Sequence, residues 1–455
     1  MTAVSGPAPR PAVAPPADWK FPVPCEYRPG SGVTVLAYDM PGQHAATVLC
    51  HLGIPATAEP AGCDGIAAVT AAAMFTGARG VPAREFEQRA AAAGISWTTS
   101  AAWAGPSVTL ELPARQVPAA LDLLRLALAE PEFDAGETAA QIQLAAMGIA
   151  RDAASPQARV MQALPGAVYG DAIRAGRPAA GTLATVMQLT PDAVPAFYDD
   201  HVRPAAVTVV IAGDLTGLDV AALAEKALAA WRDDRPAATV PEQDPLPLRP
   251  AAGVLVDQPG ASQTQLLLAA QVPGRGQPGW AELQVAARIL GAPLTGRLDA
   301  HVREQSGQSY GLQAGLTELV PGYGLFLVTG AVDGPATPAV LADIHGILAA
   351  PLASGFTDAE HADATEAITR TLPLTAYETP AALAATAADL AGSGFTPAYP
   401  GRFLDDIAAL TAPLVNGAYK SYLSPDRFTL IAAGDAAALA GPLEEVAGPL
   451  QVISA

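Results

Sequence analysis

The chain has 455 residues, two to three times the length of a typical domain, which is enough for more than one hydrophobic core. Hydrophobic residues make up 51% of the sequence and charged residues only 15%, but much of the apolar content is alanine, which favours helices without implying a membrane. The formal net charge of −19 excludes nucleic acid as a partner, because phosphate binding requires clustered Lys and Arg side chains.

The first half of the chain shows apolar patterns of both strand and helix period. They predict strands at 33–39 and 46–52, helices at 65–77 and 82–93, and strands at 95–101 and 106–112. Pro82 and Gly94 suit the start and the end of the second helix. Longer helical runs at 116–200 precede a strand at 206–212 and a helix that ends near Trp231. Because strands and helices are grouped rather than alternating singly, the pattern predicts α+β layers.

An internal repeat divides the chain into two similar halves. Three residues and the run VTVVIAGD recur 221 positions later, the run as FTLIAAGD; the matched residues are Tyr198 and Tyr419, Pro204 and Pro425, and Asp214 and Asp435. Four further residues recur 218 positions later, pairing Asp39 with Asp257, Pro41 with Pro259, Gly42 with Gly260, and Pro55 with Pro273. The sequence therefore predicts a duplication, with the same order of elements in each copy.

The composition between and before the copies predicts the domain boundaries. Prolines at 236, 241, 245, 247 and 250 interrupt both helix and strand, so we assign 236–250 to an interdomain linker. Residues 1–20, with their Pro-rich stretch at 7–16, are predicted to be a disordered lead-in. The domains then span 21–235 and 251–455.

Targeting and redox features point to the cytoplasm. The first twenty residues contain prolines where a signal peptide requires an apolar core, and no run of 18 strongly apolar residues occurs, so we expect no membrane segment. The three cysteines, Cys25, Cys50 and Cys63, are too few for a disulfide framework and lack CxxC spacing. We expect them to pack in the core.

The segment Gly65 to Ala78, GIAAVTAAAMFTGA, resembles the zinc-binding helix of the pitrilysin/insulinase family of peptidases. That family carries H-x-x-E-H here, because histidines at i and i+4 share one helix face and bind zinc while the glutamate polarises water. The family's frame is kept at Gly65, Ile66, Ala67, Met74, Phe75 and Gly77. The three functional positions fall on Ala68, Ala71 and Ala72, so the metal ligands are lost.

The family's third zinc ligand, a glutamate on a later helix, has no candidate in this sequence. No glutamate occurs between Glu137 and Glu225. None of the six histidines, at 44, 51, 201, 301, 345 and 361, forms H-x-x-E-H or H-E-x-x-H. The resemblance therefore implies that this chain holds no metal or other cofactor, and that zinc is supplied by a partner subunit.

The segment 289–315, ILGAPLTGRLDAHVREQSGQSYGLQAG, resembles the second-domain pattern of the same family. Its arginine and tyrosine, which in the family reach toward the peptide held at the zinc, correspond to Arg303 and Tyr310. Both side chains donate hydrogen bonds suited to a substrate carbonyl or an oxyanion. The other interpretation is an exposed helix residue and an ordinary strand aromatic.

The duplication offers an internal test of this pair. Gly94, Ser96 and Trp97 match Gly307, Ser309 and Tyr310 at an offset of 213, which predicts that the aromatic position serves packing in both halves. Arg303, in contrast, has Ala90 as its counterpart. The arginine is therefore the more informative residue of the pair.

Three weaker candidates have simpler explanations. His301 and Glu304 share a helix face but lack a third metal ligand, so solvent exposure explains them better. A thiol site at Cys50, His51 and Cys63 is disfavoured because neighbouring strand residues point to opposite faces. The glycine-rich PGRGQPGW at 273–280 lacks phosphate-loop spacing and is predicted to be a turn.

The resemblance implies an α+β fold of two homologous domains, each a mainly antiparallel sheet packed with long helices, forming half of a processing-peptidase-like clamshell. In the split bacterial enzymes of this family, one chain carries H-x-x-E-H and its homologous partner carries the Arg/Tyr pair. We therefore expect a non-catalytic subunit that binds unfolded peptide and completes a zinc endopeptidase. The alternative is a structural or peptide-binding relative without a role in proteolysis. An enzyme with another nucleophile ranks last, because no Ser/His/Asp or Cys/His arrangement is evident.

Overall fold

The computed structural model describes residues 20–233, 235 and 253–454. The predicted lead-in, apart from Lys20, and the predicted linker at 236–250 lie outside these residues. The described chain forms two six-stranded sheets, one from each half of the sequence, and helices cover both faces of each sheet.

The first sheet is built entirely from the first half of the chain. Its strands are β1 (Cys25–Tyr27), β2 (Thr34–Asp39), β3 (Ala45–Leu52), β4 (Ser96–Ser100), β5 (Ser107–Pro113) and β6 (Val207–Gly213). Its helices are α1 (Ile66–Ala73), α2 (Ala83–Ala93), α3 (Val117–Ala129), α4 (Ala135–Asp152), α5 (Pro156–Tyr169), α6 (Leu183–Met187), α7 (Ala193–His201) and α8 (Val220–Leu228). The strand order is β1-β2-β6-β3-β5-β4, with only the β2–β6 pair parallel.

The second sheet repeats this plan. Its strands are β7 (Gly253–Asp257), β8 (Gln263–Pro273), β9 (Ser309–Val320), β10 (Tyr323–Asp333), β11 (Thr429–Gly434) and β12 (Leu450–Ile453). Its helices are α9 (Trp280–Gly291), α10 (Arg297–Asp299), α11 (Thr337–Ser354), α12 (Asp358–Glu366), α13 (Leu372–Ala376), α14 (Pro380–Gly392), α15 (Tyr399–Ala408), α16 (Ala412–Tyr422) and α17 (Ala436–Ala447). The strand order is β12-β7-β11-β8-β10-β9, and the β12–β7 and β7–β11 pairs are parallel.

Two helical segments of the second half are wound as π-helix. Ala300–Gln305 continues α10 toward β9, and Ala367–Thr371 joins α12 to α13. Such wider turns interrupt the regular hydrogen-bond ladder of a helix and redirect the side chains around them. The first of them carries Arg303.

Matched hydrogen bonds in the two halves show the duplication at atomic level. Asp39, at the end of β2, accepts through Oδ1 from the Leu215 N–H that follows β6, at 3.0 Å. Asp257, at the end of β7, accepts through Oδ1 from the Ala436 N–H that follows β11, at 3.1 Å. The reciprocal contacts run from Gly42 N to Asp214 Oδ2 at 3.0 Å and from Gly260 N to Asp435 Oδ2 at 3.2 Å. The predicted fold class of two homologous α+β domains is confirmed.

Each half sends one helix onto the sheet of the other half. Helix α5 packs on β7, β8 and β11 of the second sheet, and α14 packs on β3 and β6 of the first. The two helices correspond, since Ser155 and Thr379 cap their N-termini 224 residues apart and a proline follows each cap. This exchange buries the second face of both sheets and joins the halves.

The predicted elements of the first half are present, with differences at their ends. The helix predicted at 65–77 ends at Ala73, and the helix predicted to end near Trp231 ends at Leu228. Gly94, at a φ of 66°, ends α2 as expected, because glycine adopts the left-handed region without steric cost. The sequence analysis missed the short edge strand β1, which has only three residues.

One described helix, α11, is long and apolar enough in composition to pass a test for a membrane span. Its Val340, Leu341, Ile344 and Leu348 side chains, however, are buried in the core of the second half. Asp343 on the same helix contacts His301 at 3.2 Å. These contacts are those of a core helix that covers a sheet.

Candidate functional site

Helix α1 keeps the frame of a metal-binding helix but carries methyl groups where ligands are needed. Ala68 and Ala72, at i and i+4, are both partly exposed on one face, while Ala71 is fully buried in the core. Gly65 begins the helix at a φ of 97°, where a Cβ would collide with the carbonyl oxygen of Ala180. Methyl groups have no lone pair to offer a metal, so these residues do not fit zinc.

A buried group of four charges holds the start of α1. The Glu59 carboxylate accepts from the backbone N–H groups of Gly65 and Ala67, both at 3.1 Å, and replaces the missing N-cap side chain. Arg174 binds Glu59 with its Nη2 atom 2.7 Å from Oε2, and the side chains are 10% and 1% exposed. The Glu59 carboxyl is therefore tied to both the helix start and a buried guanidinium. Burial raises the pKa of that carboxyl, and Arg174 opposes the shift.

Asp64 links the same group to a second arginine. Arg177 Nε lies 2.5 Å from Asp64 Oδ2, and Arg174 Nε lies 3.3 Å from Asp64 Oδ1. Thr185 donates to the Asp64 carbonyl at 3.0 Å, so α6 is tied to the same point. The sequence analysis did not find this group, because its partners are more than 100 residues apart along the chain.

A small pocket of 270 Å³ adjoins Ala72. The indole of Trp97 and the side chains of Glu87, Glu137 and Gln141 contribute to its wall. The structure thus places Glu137 of α4, the last glutamate before the stretch without glutamate that ends at Glu225, beside the degenerate motif on α1. Among the described residues, no group of three His, Cys, Asp or Glu side chains has the arrangement of a metal site.

Arg303 and Tyr310 lie on neighbouring elements of the second half. Arg303 is in the π-helical segment that leads to β9, and its Nε atom is 3.6 Å from Glu304 Oε1. Tyr310 is the second residue of β9, an edge strand of its sheet, and is 88% exposed. Asp299 holds this region, because its carboxylate accepts from Leu312 N at 2.7 Å and from Leu294 N at 2.8 Å.

The predicted packing role of the matched aromatic position is wrong for the second half. In the first half, Trp97 is partly buried, with its ring centroid 6.0 Å from those of Phe75 and Phe86. Tyr310 has no such ring contact among the described residues and projects into solvent. The physical reason is the neighbouring helix: α2 brings Phe86 to Trp97, whereas the π-helical segment at Tyr310 is polar and exposed. An exposed aromatic on an edge strand is available for binding.

The weaker candidates also have definite surroundings. His301 contacts Gln305 at 3.1 Å and Asp343 at 3.2 Å rather than Glu304. Cys50 is fully buried, which raises its pKa to about 12, and a thiol of that kind is a poor nucleophile. His51 lies on the opposite face of β3, where its Nδ1 atom is 3.1 Å from Ser107 Oγ.

The predictions for the other two cysteines and for the PGRGQPGW segment are confirmed in part. Cys63 is partly buried beside the first core, and Cys25 is exposed, so the expected core role fails for Cys25. The PGRGQPGW segment is a turn between β8 and α9, closed by a hydrogen bond of 3.0 Å from Gly274 N to Gln277 Oε1. Its backbone N–H groups at Gly274 and Arg275 donate to the side chains of Gln277 and Glu318.

Comparison with known proteins defines the class to which this architecture belongs. The chain superimposes on the peptidase M16 inactive domain from Pseudomonas fluorescens with a TM-score of 0.75, at 20% identity over 90% of this chain and 97% of that one. It matches the periplasmic protease PqqL from Escherichia coli with a TM-score of 0.74, at 14% identity over 96% of this chain but only 51% of that protease. A chain of complex III2 from Candida albicans gives 0.75, at 15% identity over 94% and 100%. These likenesses show a shared fold.

A family model matches part of the sequence. Residues 188–368 match the family model described as peptidase M16 inactive domain, a segment that contains Arg303 and Tyr310 but not α1. No curated protein matches the chain. The family-model match supports the resemblance to the M16, or pitrilysin/insulinase, family in the segment 289–315, whereas the segment Gly65 to Ala78 lies outside the matched residues.

Proposed function

We propose that this chain is the non-catalytic subunit of a two-chain M16 zinc endopeptidase. A homologous partner with H-x-x-E-H supplies the zinc, and this chain closes the chamber and binds the unfolded peptide through Arg303 and Tyr310. The observation that carries the proposal is the contrast between an α1 without ligands and a Tyr310 that is 88% exposed on an edge strand. The first half lacks the metal ligands of the family motif, and the second half presents an exposed tyrosine that can bind a peptide.

The retained architecture around α1 supports a role in shaping a chamber. The buried contacts of Glu59, Asp64 and Arg174 still fix the helix start, although no metal ligand remains to be positioned. Alanine at three positions preserves helix propensity and adds no polar demand. Helix α1 is therefore a chamber wall in this proposal, with the partly exposed Ala68 and Ala72 facing the peptide.

The edges of the two sheets suit an extended peptide. β4 and β9 are edge strands at equivalent ends of their sheets, and neither has a second neighbouring strand among the described residues. Unpaired backbone groups on an edge strand accept an added peptide strand. Residues Ser96–Ser100 alternate between exposed and partly exposed side chains, so the strand is open along its length.

The relatives favour a chain that works as half of a larger peptidase. PqqL is a single protease of which this chain covers 51%, and the matched structure of its first half is covered to 98%. In that protease the fold is followed by a second half of comparable length. A separate partner chain of similar size would complete the same arrangement here.

A reconstitution experiment tests the proposal. The purified chain is mixed with an H-x-x-E-H chain of similar length from the same genome, and hydrolysis of a quenched unfolded peptide is followed for each chain alone and together. We expect activity only in the mixture, and no stoichiometric zinc in this chain alone by metal analysis. Stoichiometric zinc in this chain alone would contradict the proposal.

The roles of Arg303 and Tyr310 are tested in the same mixture. Arg303→Ala and Tyr310→Phe each remove donors from a substrate or oxyanion, and the loss in kcat should be on the order of 10²-fold. Arg402→Ala, an exposed arginine on α15, is the matched control and should leave activity unchanged. Full activity in both Arg303→Ala and Tyr310→Phe mixtures would reject the assigned roles.

A second candidate is a structural or peptide-binding subunit without a part in hydrolysis. The match to a chain of complex III2, covered over its full length, favours it, because the fold occurs there as a component of a respiratory complex. This candidate predicts a stable complex with other chains, no gain in peptide hydrolysis on mixing, and no effect of Arg303→Ala.

A further inference from the structure

A second cavity lies where the two halves meet. It has a volume of 860 Å³ and follows one face of α5, which crosses the second sheet. One side is formed by the end of α4 and the start of α6, and the other by β7 and β12. We call it the α5 groove. Its size is that of a ligand site rather than of a packing defect.

Small residues on α5 open the floor of the groove. Ala163, Gly166 and Gly170 line it at helical spacing, and a Cβ at Gly166 would collide with the carboxylate of Asp171. The opposite wall is apolar, with Val254 and Val256 of β7 beside Ile453 of β12. The walls therefore suit apolar side chains.

Opposite charges line the groove about two turns of α5 apart. Arg159, near the start of α5, donates from Nε to the carbonyl of Ala153, which leaves both Nη groups without a hydrogen-bond partner among the described residues. Asp171 follows the end of α5, and its carboxylate likewise accepts no hydrogen bond from the described chain. Arg177 binds Asp64 with its Nε and Nη2 atoms, and its Nη1 donates to the backbone carbonyl of Asp171 at 3.0 Å rather than to the carboxylate.

The duplicate helix shows that these charges are not required by the fold. At the offset of 224 that relates α5 to α14, Leu383 corresponds to Arg159 and Phe395 to Asp171. Leu383 is fully buried in a cluster with Phe21 and Tyr38 of the first half. The corresponding place on the first sheet is thus filled by side chains, whereas on the second sheet it is open and carries a guanidinium.

We infer that the α5 groove binds a short extended peptide with free termini, its carboxylate at Arg159 and its ammonium at Asp171. The spacing supports a short ligand, since the Asp171 carboxylate lies beside Gly166, and the seven residues from Arg159 to Gly166 rise roughly 10 Å, the length of about three extended residues. Guanidinium and carboxylate form paired hydrogen bonds, and apolar side chains of the peptide contact Val254 and Ile453.

This site is independent of the proposed zinc partnership. Its residues belong to α5, Asp171 and the β7–β12 edge, and none of them is Arg303, Tyr310 or a position of the degenerate motif. Binding is therefore measured on this chain alone, so a failure here is distinct from a failure of the reconstituted peptidase.

The experiment is calorimetric titration of the full chain with the tripeptide alanine-valine-alanine. We expect saturable binding with a Kd below about 1 mM, weakened at least tenfold by C-terminal amidation and at least tenfold by N-terminal acetylation. Arg159→Gln should weaken the unmodified peptide at least tenfold but leave the affinity for the amidated peptide unchanged. Asp171→Asn should likewise weaken binding of the unmodified peptide at least tenfold but leave the affinity for the acetylated peptide unchanged.

The controls separate the groove from general electrostatics. Arg151→Gln, at an arginine that is 82% exposed on α4, and Asp122→Asn, at an exposed aspartate on α3, should bind like the unaltered chain. Thermal unfolding confirms that each variant is folded. Equal affinity for free and doubly blocked peptides would overturn the inference without any variant, as would no saturable binding of the free peptide.

Discussion

The two halves of this chain share one fold, but the matched aromatic residues on their edge strands β4 and β9 have different surroundings. In the first half the strand after α2 carries Trp97, which is packed against Phe75 and Phe86. In the second half the matched residue, Tyr310, is 88% exposed and its neighbouring helix turn is π-helical. At this matched position, the first copy has an aromatic residue in packing contacts and the second copy has one that is accessible to solvent.

The same asymmetry appears in the charges. The first half buries Glu59 and Asp64 with Arg174 at the start of α1. The described ion pairs of the second half are more exposed, as in Arg297–Glu360, whose side chains are 25% and 30% exposed. We therefore expect perturbations of the first copy to cost stability and perturbations of the second copy to cost binding.

The largest expected effect comes from Arg174→Ala. It leaves the buried Glu59 carboxylate without its cation, while Asp64 keeps Arg177, and should lower the free energy of unfolding by about 3–5 kcal/mol. Urea unfolding followed by tryptophan fluorescence measures this change. Arg297→Ala in the second half is the comparison and should lose about 1 kcal/mol, because its pair is only partly buried. Equal losses would show that burial does not distinguish the halves.

A change of similar size in the free energy of unfolding is expected as a function of pH, and it comes from His51 at the contact between the halves. His51 is buried under α14 and Nε2 has no hydrogen-bond partner among the described residues; burial lowers its pKa from 6.5 to about 4, and Asp389 opposes the shift. The unfolded chain takes up the proton first, so this contribution to stability is present above pH 6.5 and is lost as the pH falls toward 4. The loss is about 3 kcal/mol.

The matched variant for this effect is His51→Ala, because the corresponding residue of the second half, 218 positions later, is Ala269. The difference in unfolding free energy between the unaltered chain and the variant, measured by urea titration at several pH values, should shrink by the stated amount between pH 7 and pH 4. A difference that stays constant with pH would refute the assignment to His51.

A smaller contrast is expected between the two aromatic residues themselves. Trp97→Ala should lower the free energy of unfolding by about 2–3 kcal/mol, since it removes contacts with two phenylalanine rings and leaves a partial cavity. Tyr310→Ala should change it by less than about 0.5 kcal/mol, because the ring is solvent-exposed. Chemical unfolding of both variants decides the point; a large loss for Tyr310→Ala would restore a packing role.

The smallest expected losses of stability concern two matched tyrosine hydrogen bonds, and they should be equal in the two halves. Tyr198 donates to the Leu128 carbonyl at 2.5 Å, and its counterpart Tyr419 donates to the Leu348 carbonyl at 2.7 Å. Replacing either by phenylalanine removes one hydrogen bond and should cost about 1 kcal/mol. Unequal losses, measured by the same unfolding assay, would show that the duplicated bonds have diverged in strength.

Part of this description was accessible from residue patterns. Local periodicity placed β2 to β6 and the long helices, and the repeated Asp214 and Asp435 exposed the duplication, because their spacing is constant along the chain. The loss of zinc ligands at Ala68, Ala71 and Ala72 also follows from the sequence, since a helix of known spacing fixes which positions share a face. The prediction failed at Tyr310, where a matched aromatic did not imply matched packing.

By itself, then, the sequence determined the duplicated α+β plan, the absence of metal ligands on α1 and the positions of Arg303 and Tyr310. The duplication follows from residues that recur at a constant spacing, and the other two follow from residues close together in the chain. Only the tertiary structure decided what surrounds them. Arg174 meets Glu59 across 115 residues, His51 lies under a helix of the other half, and Arg159 faces an open groove where its counterpart is buried. Such contacts arise when elements pack, and packing between distant segments leaves no local pattern to read.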